Sequence, residues 1–208
     1  MATPRTGHDS TDVFLNCPFD DAYRRLFEAV VFAVFDCGFR PRCALEMDDS
    51  GEVRIDKLLR IIEQCRFGIH DLSRTEADPV SRLPRFNMPL ELGLFLAAKR
   101  FGDRRQKRKR CLILDRERYR YQKFISDIAG QDIRSHRNSA DGAIRVVRDW
   151  LDNHSDRSTI PSGSIIYSRY QIFRRAVPKL CAELERDRSQ LTYTDYCGIV
   201  SRWLVRSA

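Results

Sequence analysis

Val13-Phe14-Leu15-Asn16-Cys17-Pro18-Phe19-Asp20-Asp21 is the stretch whose reading decides the fold. Residues 13–17 read as a short buried strand rich in residues that suit a pleated surface. Pro18 lacks a backbone donor, so the strand ends in a turn there. Asp20 or Asp21 then caps a helix that runs to about Cys37. Leu26, Phe27, Val30, Val31, Val34 and Phe35 make that helix apolar over most of its circumference. Such a helix is expected to be largely buried, and Gly38 supplies the stop.

The same alternation continues outward. Residues 41–45 make a second strand despite their arginines. Arg54–Gln64 reads as a helix with Ile55, Leu58, Leu59 and Ile62 on one stripe, and Phe67–Asp71 as a third strand. A loop with two prolines covers residues 78–85. Asn87 is then expected to cap a third helix reaching about Phe101, with Pro89 in its tolerant first turn. Cys111-Leu112-Ile113-Leu114 is a fourth strand, followed by a short helix near residues 121–129, a fifth strand at 132–135 and a helix over 140–151. Short apolar strands alternating with helices indicate a parallel sheet covered on both faces. The expected fold is α/β, a flavodoxin-like five-stranded parallel sheet over residues 12–153. A polar linker at 154–164 leads to helices near 165–186 and 192–205, the first expected to kink at Pro178. Residues 154–208 are therefore a basic, aromatic helical extension.

Composition narrows the setting. No apolar run approaches the roughly 18 residues that span a bilayer, and residues 1–11 lack the hydrophobic stretch of a secretory signal. A cytoplasmic protein without a membrane partner is expected. Its seven cysteines are scattered and odd in number, with no CxxC pair and no histidine at zinc spacing, so neither a metal site nor a disulfide framework is expected. The net charge of +8 is localised: residues 103–110 hold six Lys/Arg against one Asp, and residues from Ser155 onward hold nine against five. The remainder is close to neutral.

In open parallel sheets, ligands bind beyond the carboxyl ends of the strands. Asn16, Asp20, Glu46, Asp48, His70, Asp71, Ser73, Asp115 and, more weakly, His136 follow the expected strands. Glu91 is the most specific candidate, a carboxylate near the start of the third helix on one face with Phe95 and Ala98. A carboxylate on an apolar stripe must be paired, functional or at the rim. Burial would raise its pKa, while the helix N-terminus would favour the anion. A poorly solvated carboxylate suits a nucleophile or the stabiliser of a developing cation. The competing reading is an arginine pair that serves structure alone.

Val13-Phe14-Leu15-Asn16-Cys17-Pro18-Phe19-Asp20 resembles the first strand and Pro-Phe loop of nucleoside 2-deoxyribosyltransferases. Phe67–Asp71 resembles their third strand, and Glu91-Leu92-Gly93-Leu94-Phe95-Leu96-Ala97 is similar to their Glu-Leu-Gly-x-Ala helix. TIR domains that cleave NAD have a related fold with a glutamate on a comparable helix. The resemblance covers about residues 12–151. It implies Glu91 as the catalytic residue of an N-glycosidase acting on NAD or a (deoxy)nucleotide, which is substrate rather than cofactor. It also implies Asn16, Phe19, Asp20, Asp71 and Asn87 as substrate-binding residues, and a role as a toxic effector in bacterial defence against phage. One departure stands out: Leu83-Pro84-Arg85-Phe86-Asn87 replaces the family's Asp- and Gly-rich stretch, so base recognition must differ.

Other features carry rival readings. Arg104-Arg105-Gln106-Lys107-Arg108-Lys109-Arg110 is either a solvated loop or a contact for RNA, DNA or an acidic partner. Because it joins a helix to a strand, it is expected at the sheet edge opposite the site. Tyr167, Tyr170, Phe173, Tyr193, Tyr196 and Trp203 either pack the extension against the domain or a second subunit, or offer a base-stacking platform. Cys17 is a small buried side chain or a thiol nucleophile. The alternative function class is a non-catalytic nucleotide-sensing or assembly module, alone or as a homo-oligomer.

Overall fold

The computed structural model describes residues 11–46, 51–77, 82–84, 86–155, 157 and 159–207. Five parallel strands, β1 (Asp12–Asn16), β2 (Arg40–Arg42), β3 (Phe67–Asp71), β4 (Arg110–Asp115) and β5 (Arg134–Ser135), form one sheet in the order β2-β1-β3-β4-β5. This is the flavodoxin-like α/β arrangement. Helices α1 (Asp21–Asp36), α2 (Arg54–Gln64), α3 (Asn87–Phe101) and α4 (Ala140–His154) cover it, and α5 (Gly163–Glu183) and α6 (Tyr193–Ser207) complete the chain.

The strand period sorts side chains between two cores. Val13, Leu15, Phe67, Ile69, Leu112 and Leu114 join the cluster that contains α1 and α4. Phe14 packs with Leu58, Ile61, Ile62 and Phe95 of α2 and α3 on the other face, and Ile113 packs with Met88 and Leu92. Gly68 serves this second face, because a Cβ there would lie 2.7 Å from the Phe95 ring. The missing side chain lets α3 approach β3 closely. Each fully buried Val, Leu, Ile or Phe contributes roughly 1.5–3 kcal/mol by leaving water.

Several expectations are corrected. β2 ends at Arg42 and the chain turns through Ala44–Glu46. Its arginines are held by carboxylates, Arg40 by both oxygens of Asp12 at 2.7 and 2.6 Å and Arg42 by Glu46 and Asp12. The stripe of α2 buries Leu58, Ile61 and Ile62, whereas Ile55 and Leu59 are exposed. Asn87 does not cap α3. It is the first helical residue, and Phe86 occupies the cap position with no side-chain hydrogen bond. The expected helix near 121–129 is two short 3-10 turns, and β5 is only Arg134–Ser135. Helix α5 continues through Pro178 as one element.

The extension shares the core on the α1 side. Phe32 of α1 meets the rings of Tyr170, Phe173 and Trp203 at 5.4, 5.1 and 5.8 Å between centroids. Three tyrosine hydroxyls dock on backbone carbonyls: Tyr170 on Arg25, Tyr193 on Pro41 and Tyr196 on Glu28, at 3.2, 2.8 and 3.1 Å. A tyrosine packs with its ring in the core when its hydroxyl finds such a partner. Those three rings, with Phe173 and Trp203, are buried and present no platform for bases. Among the described residues no helix is long and apolar enough to cross a membrane.

The basic loop is not uniformly solvated. Lys109 is buried, and its ammonium donates to the carbonyls of Ile62 and Cys65 at the end of α2 while lying 4.7 Å from the Phe95 ring centroid. A cation on the orphan carbonyls of a helix C-terminus satisfies both hydrogen bonding and the dipole. Gln106 is also buried and donates to the Glu63 carbonyl at 3.0 Å. The remaining basic side chains of this loop are exposed.

Candidate active site

The carboxyl ends of β1 and β3 carry polar side chains to opposite faces of the sheet. Asn16 points toward α3, where its Nδ2 donates to the Met88 carbonyl at 2.8 Å and lies 3.0 Å from His70 Nδ1. This ties β1 to the first turn of α3, one turn before Glu91. Burial lowers the His70 pKa to about 3, so its ring is neutral. Nδ1 accepts from Asn16, which leaves the proton on Nε2.

Glu91 is 4% exposed. Among the described residues no hydrogen bond or ion pair reaches its carboxylate. Desolvation raises its pKa to about 7, only partly opposed by Arg54 at the start of α2. Burial thus outweighs the Arg54 charge and holds the carboxyl well above the usual carboxylate range. A carboxyl with that balance can donate a proton, accept one, or sit as a poorly solvated anion beside a developing positive charge. The arginine pair that would make Glu91 purely structural is not formed among the described residues.

Asp71 is arranged differently. It is fully buried on the α1 and α4 side, accepting from Tyr23 Oη at 2.6 Å and from the Ser73 amide at 2.8 Å. His136 Nε2 stands 3.0 Å from its Oδ2, while His136 Nδ1 accepts from the Asn138 amide. Burial pushes this carboxyl up, but His136, Ser73 and Tyr23 more than offset it, and the net pKa is lowered. Its oxygens are therefore occupied by the protein. Tyr23 was not found from the sequence, since nothing marks a tyrosine in the first turn of a helix as the partner of a strand-end carboxylate.

The other expected contacts have partners or exposures of their own. Asp20 caps α1 by accepting from the Tyr23 amide at 3.1 Å and pairs with Arg74 at 3.3 Å. Phe19 packs edge-on against Phe27 at 5.3 Å and lines a small groove with Tyr193 and Tyr196. Asn87 is exposed at the start of α3. Of the five residues proposed to bind substrate, Asn87 belongs to the helix that carries Glu91, and Asn16 is hydrogen-bonded to it. Cys17 is fully buried, and its thiol is pushed well above the usual range, first by burial and then by Asp71. A thiol so protonated is not an activated nucleophile.

Comparison of the chain with protein-family models, with curated proteins and with solved structures finds no match. The functional reading therefore rests on the chemistry of these residues and on the motif resemblance.

Proposed function

We propose that the chain is an N-glycosidase that cleaves the bond between base and ribose in NAD or a (deoxy)nucleotide, with Glu91 as the reacting carboxylate. The observation that carries this is a buried Glu91 carboxyl with no hydrogen-bond or ion-pair partner among the described residues and a pKa raised to about 7. Burying such a group costs stability, so it implies a use. In the reaction the C1′–N bond breaks and its electron pair leaves with the base. The ionised Glu91 faces the oxocarbenium character that develops at C1′. Water adds at C1′ and gives its proton to Glu91, which releases it to solvent. Asn16 acts as a positioning residue, because it holds β1 to the turn of α3 that precedes Glu91.

The test is release of free base, followed by chromatography, from NAD, nucleotides and deoxynucleotides. Wild-type protein should release base from one of these classes, and Glu91→Gln should not, with its thermal unfolding intact. Undiminished turnover by Glu91→Gln, or no release from any class by the wild type, overturns the proposal.

A further inference from the structure

On the face of the sheet away from Glu91, a cleft of about 470 Å³ opens between the first turns of α1 and α4 and the ends of β3 and β4. Arg25, Arg74 and Arg116 line it together with Ser73, Asn138 and Ser139, and no acidic side chain is among the described residues that line it. We propose that this cleft binds the phosphate group of a small phosphorylated molecule. The inference does not rest on Glu91, which belongs to α3 on the opposite face.

Three features converge. Guanidinium groups match phosphate oxygens in charge and in planar, paired geometry. Two helices of 16 and 15 residues contribute their first turns to the cleft wall, and a helix amino end favours an anion through its backbone N–H groups and dipole. Asp20 already holds the Tyr23 amide of α1, whereas Ser139 holds the Gly142 amide of α4 at only 3.4 Å, so the α4 end is the more open. The third feature is independent of both. Ser73 is 1% exposed and lines the cleft, yet its hydroxyl has no hydrogen-bond partner. Its amide is committed to Asp71. A buried hydroxyl without a partner is costly, and a phosphate oxygen would accept from it.

The present arginine partners can be displaced. Arg74 pairs with Asp20 at 3.3 Å, and Arg116 pairs with Glu76 and, at 3.4 Å, with Glu117. Arg74, Glu76 and Glu117 are each about half exposed or more, so these pairs are weak. Arg25 is exposed and forms no ion pair among the described residues. The nearby Asp71 charge is taken up by Tyr23 and His136 rather than facing the cleft unpaired. The volume falls in the range of small-molecule pockets and leaves room beyond the anion for the group that bears it. Tyr167 offers that group a partly buried aromatic wall.

Isothermal titration of the full chain with ribose 5-phosphate, inorganic phosphate and ribose tests this. Ribose 5-phosphate should bind saturably and more tightly than phosphate, with affinity falling as salt rises, while ribose alone should not bind. Equal affinity for inorganic phosphate and ribose 5-phosphate would overturn the organic assignment and make the ion the ligand. Arg116→Gln should weaken ribose 5-phosphate by about tenfold, and Ser73→Ala by a smaller factor. Arg25→Gln has no pair to lose and gives a second reading should Arg116→Gln fold poorly; it too should weaken binding. No saturable binding, or binding undiminished in both arginine variants, overturns the site.

Discussion

Tyr23 Oη donates to Asp71 Oδ2 at 2.6 Å across 48 residues of sequence, joining the first turn of α1 to the end of β3. Both groups are buried, and His136 completes the contact from the segment before α4. The relationship explains why Asp71, legible as a strand-end carboxylate, is committed to the fold.

Tyr23→Phe should therefore destabilise the protein by about 1.5–3 kcal/mol near pH 7, the range for a hydrogen bond to a charged group. The folded pKa of Asp71 lies below its ordinary value of 3.8. Its stabilisation is present above that value and is lost as pH falls through the folded pKa. The deficit of Tyr23→Phe should thus shrink below about pH 4. Denaturant unfolding across a falling pH series gives the comparison, and a deficit that grows as the medium is acidified would contradict a carboxylate stabilised by this contact.

Glu91 has the opposite sign. Its folded pKa, about 7, is raised above the ordinary value of 4.5 by burial. The folded state then holds the proton more tightly than the unfolded chain. Any stability linked to that proton is present below pH 4.5 and is lost as pH rises through 7. Glu91→Gln cannot ionise, so relative to wild type it should gain on the order of 2 kcal/mol between pH 5 and pH 8. A constant difference across that range would mean that the carboxyl is solvated in solution.

If the anion of Glu91 is the reacting form, base release should rise with pH through about 7 and then level off. The profile of kcat against pH reports this directly. A rate that falls over the same interval would assign Glu91 the role of proton donor instead.

Lys109 should behave unlike its neighbours in the basic loop. Its ammonium satisfies the Ile62 and Cys65 carbonyls, so Lys109→Met should cost roughly 1–3 kcal/mol. Exposed Lys107→Ala should fall within about 0.5 kcal/mol of wild type. Thermal unfolding of the two variants separates an interior lysine from a solvated one.

Phe173 lies among Phe32, Tyr196 and Trp203. Phe173→Ala should cost about 3–5 kcal/mol, the range for deleting a core ring. Since the extension shares a hydrophobic cluster with α1 and α4, the loss should appear as an earlier single transition. Separate melting of the extension ahead of the sheet would contradict a shared core.

The elements with strong periodicity were the legible ones. Arg54–Gln64 and Phe67–Asp71 form within the limits expected of them, and Asp20 caps α1. The weak places were those where tertiary contacts outbid local preference. At Asn87 a cap was expected from residue type, yet the preceding Phe86 takes that position. The cluster of six Lys/Arg reads as a solvated loop or a nucleic-acid contact, because spacing does not show that one ammonium meets the carbonyls of another helix.

By itself, the sequence determined the order of strands and helices, the parallel sheet, the burial of α1 and the presence of a carboxylate on the apolar face of α3. These follow from hydrophobic periodicity and from residues that start or stop elements, which act within a few neighbours along the chain. Only the tertiary structure decided that Asp71 is held by Tyr23 and His136, that Glu91 is buried without a hydrogen-bond or ion-pair partner among the described residues, and that three arginines meet at two helix ends. The pKa of a carboxyl and the occupancy of its oxygens depend on burial and on groups brought from distant segments. Neither is encoded in the spacing of adjacent residues.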